Sequence, residues 1–281
     1  MDTSAIADAF DARVDDTLTW VSDNGAFLFD WIRAVFQGFY GGVLGLLGFA
    51  PWLVVAIVFG LIAWRLVSAS FGVFAVVGLA VCWIMGLWPE TMSTFALVVS
   101  ATCLALLFAL PIGVLAGFLP RLDHFVEPIL DLIQTLPPYI YLLPAIALLG
   151  FGPATALAAT LIVAMPPAIR LTSLGIRMTP RQFVELGQST GMTPWQMFFK
   201  IRLPFALPSI MAGINQCLMM AFGMVVIAGI VGSGGLGKTI YDAIRTLNIG
   251  KSIDGAISIV ILTILIDRLT QNVVRTEKEQ P

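Results

Sequence analysis

With 281 residues, 58% of them hydrophobic and only 11% charged, and a mean hydropathy of +0.94, the chain lies far from the roughly 25% charged composition of soluble domains. A formal net charge of −2, with Lys and Arg confined to a few loops, excludes the basic patch that nucleic acid needs. Cys82, Cys103 and Cys217 each lie inside an apolar run and His124 has no second His or Cys nearby, which excludes a disulfide framework and a zinc site.

The first residues, MDTSAIADAFDARVDD, are acidic and lack the basic start and apolar core of a signal peptide, so no cleavage is expected. An amphipathic stretch follows at 17–49, where Phe27, Phe29, Trp31, Ile32, Val35 and Phe36 alternate with Asp30, Arg33 and Gln37. It fits a helix at the interface or in the bilayer edge. Residues 1–50 therefore read as an acidic N-terminus with an amphipathic helix, ahead of a membrane domain at 51–271 and a tail at 272–281. Crossing about 30 Å of hydrocarbon takes around 20 helical residues. Six apolar spans are predicted at 51–67, 71–88, 92–119, 139–151, 155–171 and 208–231, with a seventh at 253–269, which makes the chain an all-α polytopic membrane protein.

If the spans alternate from Pro51, one side collects Arg65, Arg121, Arg170, Arg177, Arg181, Lys200, Arg202, Arg268, Arg275 and Lys278. Basic residues favour cytoplasmic loops, so that side and the C-terminus are expected in the cytoplasm. The N-terminus, with Asp2 and Asp8, Glu90, and the segment GSGGLGKT at 232–239 fall outside. Lys238, Arg245 and Lys251 dissent.

The string GSGGLGKT fits the phosphate-binding template G-x-x-x-x-G-K-[ST] letter for letter. Its context argues otherwise. The run before it is membrane-helix length, it faces away from cytoplasmic ATP, and no later apolar strand ends in a magnesium-holding Asp. Gly232, Gly234, Gly235 and Gly237 read instead as a re-entrant turn, an outer gate where backbone bends without side-chain obstruction.

The longest predicted cytoplasmic stretch, 172–207, mixes charge with helical periodicity. Thr179-Pro180 starts one short helix, with Phe183, Leu186 and Gly187 on a shared face, and Gly191 ends it. Thr193-Pro194 starts another, and Pro204 and Pro208 are expected to break the chain before the next span.

Glu185, Gly191, Ile201, Leu203 and Pro204 fit the spacing E-x5-G-x9-I-x-L-P, which resembles the "EAA" loop of permease subunits in binding-protein-dependent ABC importers. The family's two alanines are Leu186 and Gly187 here. The stretches DLIQTLPPYIYLLP, MPPAIRLTSLGI, LPSIMAGINQ, MVVIAGIVGSGGLG and ILIDRLTQ resemble the glycine betaine/proline betaine permeases, and the likeness runs over about 52–271. The resemblance implies a type I ABC importer permease fold with about six or seven transmembrane helices in the bacterial inner membrane. It implies a homodimer, two cytoplasmic ATPase subunits that hold ATP and Mg, and an external substrate-binding protein. No cofactor and no catalytic residue is expected in this chain itself. Glu185, Leu186, Gly187, Gly191, Thr193, Pro194, Ile201, Leu203 and Pro204 would couple to the ATPase, with Glu185 pairing to Arg181 or to a partner's arginine.

A polar residue within a span is costly and points to a pathway or a helix contact. Asn215 and Gln216 lie in the span after the loop, with Met219, Met220 and Met224 following, while Gln134, Tyr139 and Tyr141 flank the Pro137-Pro138 break. A trimethylated ammonium suits aromatic faces and soft thioethers, so these residues are candidate path linings, with ordinary interhelix packing as the alternative. Glycine betaine, proline betaine, choline, carnitine and trimethylamine N-oxide all fit the implied osmolyte class. An ion-gradient-coupled transporter of similar amines is the rival, and it would place an acid or base mid-span, where this chain has none. A membrane enzyme would need a nucleophile, metal cluster or acid–base pair, and none is found.

Overall fold

The computed structural model describes residues 3–276, with side chains from Asp8 to Asn272. Asp2, Lys278 and the end of the expected tail lie outside the described residues, as does the side chain of Arg275. Among the described residues every regular element is helical. Helix α1 (Thr3–Gly48) has 46 residues and extends about 69 Å at 1.5 Å per residue. An upright helix of that length exceeds the roughly 30 Å hydrocarbon layer more than twofold. At Pro51 the chain bends by 98° into α2 (Trp52–Leu66), which pairs with α3 (Ala69–Ile84). The two approach so closely that a Cβ on Gly72 would lie 2.8 Å from the Gly60 carbonyl oxygen, the small-residue contact by which apolar helices pack in lipid.

Next come α4 (Trp88–Phe118), α5 (Pro120–Thr135), a 3₁₀ turn (Pro138–Tyr141), α6 (Leu142–Leu149) and α7 (Pro153–Arg177). Two short helices, α8 (Arg181–Ser189) and α9 (Pro194–Met197), lead through a π turn (Phe198–Arg202) into α10 (Leu203–Ala228). The chain closes with a 3₁₀ turn (Gly229–Val231), α11 (Gly235–Arg245) and α12 (Ile249–Thr276). Helices α4, α7 and α10 form the centre. Alanines of all three are sealed from solvent, and glycine positions set the spacing. A Cβ on Gly113 would stand 2.8 Å from the Ile169 carbonyl oxygen, and one on Gly175 would stand 3.1 Å from that of Ala206.

Among the described residues, four stretches are long and apolar enough to cross a membrane: Trp88–Phe118, Pro153–Arg177, Pro194–Val231 and Ile249–Asn272. Counting each of two bent pairs as one span gives six. Three expectations are corrected. The span at 139–151 is not a helix of its own, because the Leu136–Pro138 break leaves α6 only 8 residues and sets it at 104° to α5. Helix α5 was missed, because Asp123, Glu127 and Asp131 interrupt its apolar character. Neither Pro204 nor Pro208 breaks the chain: helix continues from Pro194 through the π turn into α10, with the π turn widening the hydrogen-bond ladder just ahead of Pro204, and Pro208 is absorbed inside α10.

Candidate functional site

The loop between α7 and α10 is built from local signals that agree. Thr179 Oγ1 donates to the Ile176 carbonyl at 3.0 Å and closes α7, and Pro180 precedes α8. Gly191, at φ +72°, ends α8 in a paired motif: its N–H reaches the Gln188 carbonyl and the Met192 N–H reaches the Gly187 carbonyl, both at 3.0 Å. Thr193 then caps α9. Its Oγ1 accepts from the Gln196 N–H at 3.3 Å, and the Gln196 side chain accepts from the Thr193 N–H at 3.0 Å. Pro194 occupies the first helical turn.

The two short helices fold against one another at Gly187, the one buried residue of α8. A Cβ there would meet Met197 Cε at 2.6 Å and Ile201 Cδ1 at 2.9 Å. Both side chains are buried and fill the space that an alanine methyl would take. Leu203 N–H bonds to the Phe198 carbonyl, five residues back, so the π turn takes up one residue just before Pro204. Leu186, Trp195 and Phe199 stay exposed on this loop at 57%, 72% and 55%. Trp195 and Phe199 stack at 5.8 Å, a pair that sequence reasoning overlooked although its four-residue spacing within one helical run could have revealed it.

Beside the exposed apolar side chains, a cleft of about 340 Å³ is lined by Arg177, Arg181, Glu185, Gln188 and Arg202. Glu185 is exposed, and among the described residues it forms no ion pair with Arg181. The Arg202 guanidinium lies 4.7 Å from the Phe118 ring centroid.

The candidate path residues do not share one surface. Gln134 is exposed at the end of α5 and Tyr139 is 56% exposed, while the Tyr141 hydroxyl donates to the Ile133 carbonyl at 2.9 Å across the Pro137-Pro138 break. On α10, Gln216 and Met219 join Ala212 and Gly223 in an exposed stripe at helical spacing. Met220 and Asn215 are half-buried, and Asn215 Oδ1 has no hydrogen-bond partner. Met224 lies on the other side of α10, 2% exposed within the core.

The glycine turn is pinned rather than open. Gly232, Gly234 and Gly235 all have positive φ, and Ser233 Oγ donates to the Ala228 carbonyl at 2.8 Å. The Leu236 N–H bonds to Thr94 Oγ1 of α4 at 2.8 Å, and the Gly152 N–H bonds to the Val231 carbonyl at 3.0 Å. A phosphate cradle needs such amides unengaged and facing space. Here Gly237 is pressed so close to α10 that a Cβ would stand 2.2 Å from the Val225 carbonyl oxygen.

Sequence reasoning also overlooked a polar contact between α5 and α7. Arg177 pairs with Asp123, Ser173 Oγ donates to Asp123 at 2.8 Å, and Arg170 pairs with Asp131. Carboxylates eight residues apart on α5, Asp123 and Asp131, against basic residues seven apart on α7 were the available signal.

Residues 109–278 match the protein family described as a binding-protein-dependent transport system inner membrane component. The chain is 38% identical over 268 residues to the glycine betaine transport system permease protein OpuAB of Bacillus subtilis (strain 168), covering 95% of this chain and 94% of that one. It is 39% identical over 282 residues to the glycine betaine/proline betaine transport system permease protein ProW of Escherichia coli (strain K12), covering 98% of this chain and 80% of that one. The trimethylamine N-oxide transport system permease protein TmoV of Pelagibacter ubique (strain HTCC1062) is 35% identical over 220 residues, covering 78% of this chain but 31% of that much longer one. Among solved structures, an inward-facing form of the MetNI methionine ABC transporter superposes with a TM-score of 0.60 at 25% identity, covering 66% of this chain and 92% of that one.

Proposed function

This chain belongs to the family of binding-protein-dependent transport system inner membrane components, and we propose that it carries a quaternary or trimethylated amine osmolyte inward. The observation that carries this reading is the similarity to glycine betaine permeases along 95% of the chain. Glycine betaine, proline betaine, choline, carnitine and trimethylamine N-oxide form the substrate class. The chain is a transport subunit and not an enzyme. ATP hydrolysis belongs to a separate subunit of the importer.

In the assembly we propose, two copies of this chain meet in the inner membrane, two ABC ATPases bind from the cytoplasm, and an external binding protein delivers the amine. The C-terminus and the α8–α9 loop face the cytoplasm, and the N-terminus lies outside. Coupling requires a lever that does not deform when pushed. The paired closure at Gly191, the capping box at Thr193 and the packing of Met197 and Ile201 under Gly187 support that role. Exposed Leu186, Trp195 and Phe199 would dock on the ATPase, with Glu185 at the edge of the cleft as a polar anchor. The turn at Gly232–Gly237 would serve as the outer gate. Gln134, Tyr139, Gln216 and Met219 would meet the amine, with Tyr141, Asn215 and Met220 behind them, while Met224 stays in the core and is left out of the path.

The test uses liposomes containing this chain with its ATPase and binding protein. ATP sealed inside should drive uptake of labelled trimethylated osmolytes, and replacing Glu185→Gln together with Gly191→Ala should abolish it. Uptake driven by a sodium or proton gradient without the ATPase would overturn the reading.

A further inference from the structure

Helix α5 meets the core through Leu130 and Val126 and is tied to α7 by charge. Its sequence, PRLDHFVEPILDLIQT, repeats an acid every four residues, and its only buried residues are Asp123 and Leu130. On α7, Arg170, Ser173 and Arg177 fall on one helical face opposite these acids. The two ends of this contact differ. Asp131 leaves 66% of its side chain in solvent, whereas Asp123 leaves 12% and receives both the Arg177 guanidinium and the Ser173 hydroxyl. Exposed pairs contribute little, but a buried carboxylate that loses its cation is left uncompensated. Asp123 therefore fixes where α5 sits on α7.

The position of Arg177 gives that contact a mechanical meaning. It is the last residue of α7, followed at once by the Thr179–Pro180 joint into α8, and it also lines the cleft that holds Glu185 and Arg181. At its other end α5 carries Gln134 and leads through the Pro137-Pro138 break to Tyr139, with the Tyr141 hydroxyl bonded back to Ile133. Helices α4 and α10, by contrast, touch α7 through backbone-close glycine contacts at Gly117 and Gly175 and must move with it.

We propose that Asp123, with Ser173 and Arg177, is the joint through which the α8–α9 loop moves α5, so that these are positioning residues for the transport step. The inference rests on the coupling role proposed above for the loop. A displacement of α8 reaches Arg177 first, then Asp123, then the α5–α6 bend where Gln134 and Tyr139 lie.

The deciding quantity is the number of amine molecules taken up per ATP hydrolysed, measured in the reconstituted complex. A merely structural role would lower uptake and hydrolysis together and leave the ratio alone. Asp123→Asn is expected to lower the ratio by roughly 5- to 150-fold, the span of ordinary coupling between sites, while hydrolysis persists. Arg177→Gln added to it should cost nothing further, because the two residues act as one unit. Asp131→Asn should leave the ratio within about twofold, as befits an exposed pair. Should Asp123→Asn fail to assemble, Ser173→Ala and Arg177→Lys decide the matter in the same assay, each lowering the ratio. An unchanged ratio in the assembled variants overturns the proposal. A parent complex showing no ATP-driven uptake would instead sink the functional reading on which it rests.

Discussion

Replacing Gly237 by alanine would place a Cβ 2.2 Å from the Val225 carbonyl oxygen and 3.1 Å from Val226 Cα. Both neighbours are backbone, so no side chain can swing away. Relief to an ordinary 3.4 Å contact requires α11 to retreat from α10 by about 1.2 Å, from 2.2 to 3.4 Å. That retreat pulls the Leu236 N–H from Thr94 Oγ1, and Leu236 is fully buried. Overpacking costs about 1–3 kcal/mol, and a buried donor left unsatisfied costs about 1–3 kcal/mol more. Gly232 makes the control. Its φ is +77°, but a Cβ there meets nothing within 4 Å. Alanine at that position costs about 1–2 kcal/mol for the left-handed backbone, and asparagine, which tolerates it, costs less. Gly237→Ala should therefore lower the melting temperature of the purified complex, by up to about 2–4 °C per kcal/mol lost. Gly232→Asn should change it less. A Gly237→Ala protein as stable as its parent, or a Gly232→Asn protein more damaged than it, would refute the claim that close packing and not flexibility demands glycine here.

Two further outcomes test the α8–α9 loop. Thr193→Ala removes one half of the capping box and should destabilise α9 by about 0.5–2 kcal/mol, read as faster exchange of the Gln196 and Met197 amides, whereas Thr193→Ser should preserve protection. Gly187→Ala should be tolerated, because the contacts it creates are with the flexible ends of Met197 and Ile201, while Gly187→Leu should prise the two short helices apart and lower ATP-driven uptake by roughly tenfold or more.

Short-range signals carried most of what could be read from the chain. The start of α8 after Thr179-Pro180, its end at Gly191 and the start of α9 at Thr193-Pro194 were all legible, because a cap or a left-handed turn is decided by neighbours in sequence. Composition likewise exposed α4, α7, α10 and α12 as membrane-length apolar helices. What escaped depended on partners distant in sequence. Whether Met224 faces a path or the core is set by how α10 is rotated against its neighbours, and a stripe of Met and Gln on one helix does not reveal that rotation. The α5–α7 ion pairs join residues 54 and 39 positions apart. The acids of α5 were legible as charges but not as a matching face until α7 was laid beside them.

The prolines show why such partners decide where this fold can bend. Pro166, Pro167 and Pro208 lie within continuous helices, whereas Pro137-Pro138 separates α5 from α6 at 104°. The missing N–H is the same in each case, so the proline alone does not account for the difference. Pro166 and Pro167 are buried, and Gly213 brings α10 against neighbouring Ala168. Pro208 stands between Ala206 and Ile210, which pack with Ile176. Packing on these faces over-determines the helix, and surrounding groups can satisfy a freed carbonyl. Exposure of the ring does not decide it, since Pro111, Pro128 and Pro208 are exposed within continuous helices but stand two residues from buried side chains; the Pro137-Pro138 segment lacks such neighbours, because the 3₁₀ turn that follows contains no buried residue, and the Tyr141 hydroxyl bridges the bend to the Ile133 carbonyl. Rigid α4, α7 and α10 thus form a frame against which the α5–α6 bend is the compliant element. A cycle that opens and closes a passage needs one of each, a frame that transmits force and a hinge that yields. Asp123, the most buried acid on α5, ties to that frame the helix whose far end carries the bend.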